Sequence, residues 1–186
     1  MAMGRHKEFT REEVLKKAIP VFWEHGYADT GVHELEKATG VNKSGLYSEF
    51  KSKEDLFLCS LQYYLESGSA REILNQEPLG WDNVEEMLQC SLLCPDGQKG
   101  CFAISSMREF AILPQKAHEI IARNRAEMKA LLIKNIEAEK PETDPGVLAD
   151  LISTFFSGLC MEQNLEGKRP VTEREIRVLM KALRGS

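Results

Sequence analysis

Lys43, Ser44, Gly45, Tyr47, Lys51 and Lys53 crowd one short stretch of the chain. Apart from the glycine, these residues carry hydrogen-bond donors, and three carry an ammonium group. Such a set suits phosphate oxygens and the acceptor-rich edges of bases. Catalytic signatures are missing elsewhere: there is no Gly-x-Ser-x-Gly, no phosphate loop and no dinucleotide fingerprint, so an enzyme is not expected and no cofactor is called for.

The donors must be held by short helices. Thr30 can cap a helix bearing Val32, Leu35 and Ala38 that stops at Gly40, and Asn42 can cap the next one, through Leu46 to Phe50. Two short helices around a glycine turn make a helix-turn-helix. Leu46 and Phe50, four apart, supply the buried edge of the second, which leaves Lys43, Ser44 and Tyr47 outward. Thr10 with Glu13 forms a capping box ahead of a first helix carrying Val14, Ala18, Val21 and Phe22 and stopping at Gly26, with a kink expected at Pro20. Ser52 with Asp55 opens a fourth helix that runs to Ser67-Gly68-Ser69.

Further along, Asp82 with Glu85, Pro114, Asp144-Pro145 and Thr172 with Glu175 mark four more helix starts, and a helix is expected through Phe102, Met107 and Phe110. Strand alternation is nearly absent. The pattern predicts an all-α fold of about nine helices, divided into a three-helix N-terminal domain over 1–52 and a helical domain over 53–186.

The run from Thr30 to Leu56, with Gly26-Tyr27 before it, the Ala-x-Gly-Val turn, Lys-x-x-Leu-Tyr-x-x-Phe and the following Lys-Glu-x-Leu, resembles the TetR/AcrR family of transcriptional regulators. The resemblance implies a repressor that binds a palindromic double-stranded operator as a homodimer and is released by a small organic effector. In that reading Lys43, Ser44, Gly45 and Tyr47 meet DNA, and Gly45 lets the helix approach closely. Helix starts at Thr30-Gly31 and Ser52 bind phosphate, with Lys51 and Lys53 adding charge. Tyr47 reads alternatively as packing with its hydroxyl on a phosphate. Glu49 stands where the family often has His or Tyr; a carboxylate there either points away from phosphate or narrows the operators tolerated. Arg5, in the Gly4–Lys7 arm, either reaches a minor groove or belongs to a disordered tail.

The resemblance also places effector and partner subunit in the C-terminal region. Apolar and aromatic pocket candidates are Tyr63, Trp81, Phe102 and Met107, with Phe110, His118, Phe156 and Met161 beside them. The apolar helix over 147–165 offers Leu148, Leu151, Ile152, Phe155 and Leu159 to a two-fold partner, and the last helix offers Ile176, Leu179, Met180 and Leu183. Cys90 and Cys94 share a helical face and a Pro-Asp-Gly turn can bring Cys101 near. They are either a thiol switch or soft-metal site, or small apolar core residues in a reduced cytoplasm. Two alternatives to the repressor follow: a helical sensory protein with a thiol switch, and a ligand-binding protein that no longer reads DNA.

Charge sets a condition on DNA binding. The net charge is -5, and residues 1–66 hold 9 Lys+Arg against 11 Asp+Glu. Attraction to DNA in bulk, or to an anionic membrane, is therefore excluded, and affinity must come from a few placed donors. No secretory leader or spanning segment is read, so a cytoplasmic address is expected.

Overall fold

The computed structural model of the chain describes residues 9–90, 100–163 and 173–185. All regular elements among them are helical. They are α1 (Arg11–Asp29), α2 (Val32–Thr39), α3 (Lys43–Glu49), α4 (Lys53–Ser67), α5 (Ala70–Ile73), α6 (Trp81–Cys90), α7 (Phe102–Ser106), a 3-10 turn (Met107–Glu109), α8 (Gln115–Ala138), α9 (Pro145–Glu162) and α10 (Glu173–Leu183). With the four-residue α5 set aside, nine α-helices remain among the described residues, which matches the expected all-α fold.

Local chemistry explains most helix starts. Thr10 accepts from the Glu13 amide while Glu13 reaches back to the Thr10 amide, the reciprocal box expected at α1. Asn42, Ser52 and Asp144 each accept from a backbone amide three residues on, at α3, α4 and α9. Two expectations differ. α1 continues through Pro20 with helical backbone, and the break falls only where the stop was expected, at Gly26, whose φ of 84° and ψ of 174° leave the helical region. Thr30 does not cap α2. It closes the end of α1, 1% exposed, with its hydroxyl donating to the Gly26 carbonyl, and Gly31 is the N-cap with Glu34 accepting from its amide at 2.7 Å.

Two apolar clusters hold the fold. The first joins α1 to α4 through Phe22 against Phe57, edge to face at 5.2 Å, and takes in Leu35, Leu46 and Phe50 from the helix-turn-helix. Phe102 of α7 and Ala117, Ile120 and Ile121 of α8 belong to the same cluster, which therefore crosses the expected division at residues 52 and 53. The second cluster packs α6, α8, α9 and α10 around Trp81, Leu88, Ile136, Leu148 and Ile152. Asn135 sits at its centre, fully buried. Its oxygen accepts from the Gly80 amide and Asn83, both at 3.0 Å, and its amide donates to the carbonyls of Leu74 and Leu131. All of its bonding capacity is thus used, as burial of an amide requires.

The second cluster corrects much of the expected partner surface. Leu148, Ile152, Leu159, Ile176, Met180 and Leu183 are at most 6% exposed and pack inside their own chain; Phe155 and Leu179 are partly buried against the same cluster. An apolar stripe shows that a helix face is covered, but its own neighbours reached these residues first. Of the nine, only Leu151 stands well exposed, at 52%.

Candidate nucleic-acid interface

α2 and α3 are packed by a small set of polar ties. Thr39 donates to Leu35 O and accepts from the Val41 amide, which shapes the turn, and Lys17 reaches Thr39 O at 3.3 Å. Glu36 accepts from the Lys43 amide, tying the start of α3 back to α2. Arg11 holds the other end: one guanidinium nitrogen donates to Glu49 O at 2.6 Å, another to Cys59 Sγ, and the plane lies 4.2 Å from the Phe50 ring centroid. Nothing local in the sequence signals this role for Arg11, because its partners are 38 and 48 residues away.

The result is a short helix held at both ends with a free outer face. Leu46 and Phe50 are 1% exposed, whereas Lys43, Ser44, Tyr47, Ser48 and Lys51 face solvent. The Lys43 ammonium lies 5.9 Å from the Tyr47 ring centroid, so cation and phenol occupy one patch. Glu49 is half-buried at the far end, with its carbonyl taken by Arg11.

Thr30, Gly31 and Lys53 sit differently from expectation, and Gly45 has a second role. Gly45 also makes room within the protein, since a Cβ there would come 2.7 Å from Val41 Cγ1 and 3.3 Å from Asn42 Oδ1. Thr30 is turned inward, and the Gly31 amide is engaged by Glu34. The Lys53 ammonium donates to Tyr27 O, Ala28 O and Thr30 O at 2.9, 3.1 and 3.0 Å, and lies 5.0 Å from the Tyr27 ring centroid. A cation at a helix C-terminus satisfies carbonyls that would otherwise lack donors. Lys53 thereby closes α1 instead of pointing outward. Arg5 lies outside the described residues.

A cavity of about 640 Å³ lies between the middle helices, walled by Trp23, Met87, Ile121, Met128 and Phe156, with Met107 at its edge towards α1. Of the expected pocket residues Met107 and Phe156 line it. Trp81 and Phe102 are core, at 5% and 0% exposure, and Tyr63 spends its hydroxyl on Glu12. Phe110 and Met161 are exposed, with Phe110 stacked on His118 at 4.2 Å and His118 bonded to Phe110 O. Phe110 and His118 follow the 3-10 turn and Met161 lies near the end of α9, and none of the three lines the cavity. Trp23, Met87 and Met128 were missed because apolar residues on helices read equally well as core.

Cys90 and Cys101 both line the cavity. Cys90 Sγ is 3.0 Å from Ser69 Oγ. Burial pushes the Cys101 thiol up, which opposes thiolate chemistry there. Cys94 lies outside the described residues. No cluster of His, Cys, Asp or Glu among the described residues could hold a metal ion. No helix among them is long and apolar enough to cross a membrane.

Residues 14–58 match the family model described as bacterial regulatory proteins, tetR family. The uncharacterized HTH-type transcriptional regulator YezE of Bacillus subtilis (strain 168) is 35% identical over 114 residues, 58% of each chain. The HTH-type transcriptional repressor ComR of Escherichia coli (strain K12) is 43% identical over 68 residues, which are 37% of this chain and 32% of ComR. The match thus spans less than two thirds of either relative. In overall fold the chain is similar to the TetR family transcriptional regulator CifR, solved as a cysteine mutant with 26 bp double-strand operator DNA, at a TM-score of 0.71 and 24% identity over 97% of this chain and 98% of that one. The matched segment runs from α1 into α4 and contains the whole helix-turn-helix built above, so residues 14–58 form a helix-turn-helix unit of the TetR family of bacterial regulatory proteins.

Proposed function

We propose that this regulator is a repressor that binds a palindromic operator as a homodimer and leaves it when a small organic effector fills the cavity. One observation carries the DNA-binding part: α3 is fixed at both ends by Glu36 and Arg11 while Lys43, Ser44 and Tyr47 on it, and Lys51 just beyond its end, face solvent. Preorganised donors on a short helix suit the major groove. Residues 1–52 form the DNA-binding domain in this reading, and residues 53–186 carry effector and partner sites. Because the chain is acidic overall, two copies reading two half-sites must supply the affinity that bulk charge does not. The mostly apolar wall suits an uncharged, moderately hydrophobic effector.

Gel shifts with the DNA upstream of its own gene, at several salt concentrations, test the reading. K43A is expected to weaken binding about 5- to 100-fold, from a loss of about 1–3 kcal/mol per contact. Y47A should weaken it as well. Full affinity in both variants would sink the proposed surface.

The partner surface follows from what the core leaves over. Val147, Leu151, Thr154, Gly158 and Met161 recur at spacings of four and three on α9 and are all exposed, Val147 at 50%, Leu151 at 52% and Met161 at 43%. Such a stripe suits antiparallel packing on its two-fold copy. L151E places a charge at the centre of that contact. Sedimentation should find the wild type as a dimer and L151E as a folded monomer; a dimeric L151E would move the interface elsewhere.

A further inference from the structure

The end of α1 is held from two sides, and the second side is connected to the cavity. Glu109, last residue of the 3-10 turn, accepts from the Tyr27 amide at 2.5 Å and from the Ala28 amide at 2.9 Å. Its carboxylate occupies the space beside Gly26 where any other residue would carry a side chain, since a Cβ there would lie 2.5 Å from Glu109 Oε2. Those two amides belong to the turn that leads directly into α2. Two residues before Glu109, Met107 lines the cavity. One path from cavity wall to helix-turn-helix is therefore a single turn of 3-10 helix, pinned on its other side by Arg108 Nε donating to Ser105 O.

We infer that Glu109 is the positioning residue through which occupation of the cavity sets the placement of α2 and α3. A body in the cavity displaces Met107, the rigid turn carries Glu109 with it, and the two amides of α1 must follow or lose their acceptor. Charge-assisted bonds to backbone amides are strong enough to transmit such a shift and short enough to break when it grows. The inference rests on the repressor reading for its biological meaning, but the clamp itself makes a claim that needs no DNA.

The cavity is filled by substitution, so no effector need be known. S153F puts a phenyl ring in the cavity from α9. Amide hydrogen exchange at Tyr27 and Ala28, and affinity for DNA selected by the wild type from a random-sequence pool, are measured for the wild type, S153F, E109A and S153F/E109A. S153F is expected to speed exchange of the two amides at least fivefold and to weaken DNA binding at least tenfold. With E109A already present, exchange is fast from the start and S153F should change affinity less than twofold. An equal fold-change from S153F in both backgrounds would mean that Glu109 is merely structural, and unchanged exchange in S153F would mean that the cavity does not reach α1; either overturns the inference. If the wild type selects no DNA, the repressor reading fails while the exchange result still decides the clamp. Should E109A not fold, E109Q, which keeps one carbonyl acceptor, takes its place under the same criteria.

Discussion

G26A is expected to destabilise the protein by about 3–5 kcal/mol, combining about 1–3 kcal/mol of backbone strain with the loss of charge-assisted bonds. The backbone at Gly26, φ 84° and ψ 174°, belongs to a region that only glycine occupies freely. The added methyl would also meet the Glu109 carboxylate, which must then release the Tyr27 and Ala28 amides. Thermal unfolding followed by circular dichroism should show a midpoint roughly 10 °C lower, at about 2–4 °C per kcal/mol for a chain of this size. In an E109A background the collision is absent, so G26A should cost only the strain, about 1–3 kcal/mol. Additive losses in the double variant would show that the methyl and the carboxylate do not compete.

K53M should lower stability by about 2–3 kcal/mol, because methionine keeps much of the aliphatic stem and removes the donors that satisfy three carbonyls. The three acceptors, Tyr27 O, Ala28 O and Thr30 O, converge on one ammonium, a geometry that the planar fork of arginine does not reproduce. K53R is therefore expected to recover only part of the loss. Urea unfolding measures both. A phosphate ligand would behave otherwise: K53M would keep its unfolding midpoint and lower the salt dependence of DNA binding instead. That outcome would return Lys53 to the operator surface.

What could be read from the sequence was what lies close along it. The Thr10–Glu13 box, the Asn42, Ser52 and Asp144 caps, and the Leu46–Phe50 edge each join residues three or four apart, within the reach of helix periodicity. Thr30 and Gly31 mark the limit of that reach, since either can precede a helix and only the packing of Thr30 under α1 decides between them. Arg11, Lys53 and Glu109 carried no signal for the roles they fill. Each bonds backbone groups more than twenty residues away, and a backbone acceptor or donor has no residue type to recognise. The α9 surface was half legible: two apolar stripes are present, and periodicity cannot say which one meets the protein's own core.

The sharing of one core between helix-turn-helix and middle helices limits what can be exchanged between proteins. Phe57 touches Phe102 edge to face at 5.9 Å, and Trp23 stacks on the same ring at 5.9 Å. A chimera spliced after residue 52 would carry α1 without the α4, α7 and α8 side chains that cover it, leaving Phe22 and Trp23 wet. The helix-turn-helix is thus not a detachable cassette. Under the proposed function, retargeting to another operator means changing the outer face of α3 in place, and accepting another effector means redrawing a cavity whose walls include Trp23 of α1 itself.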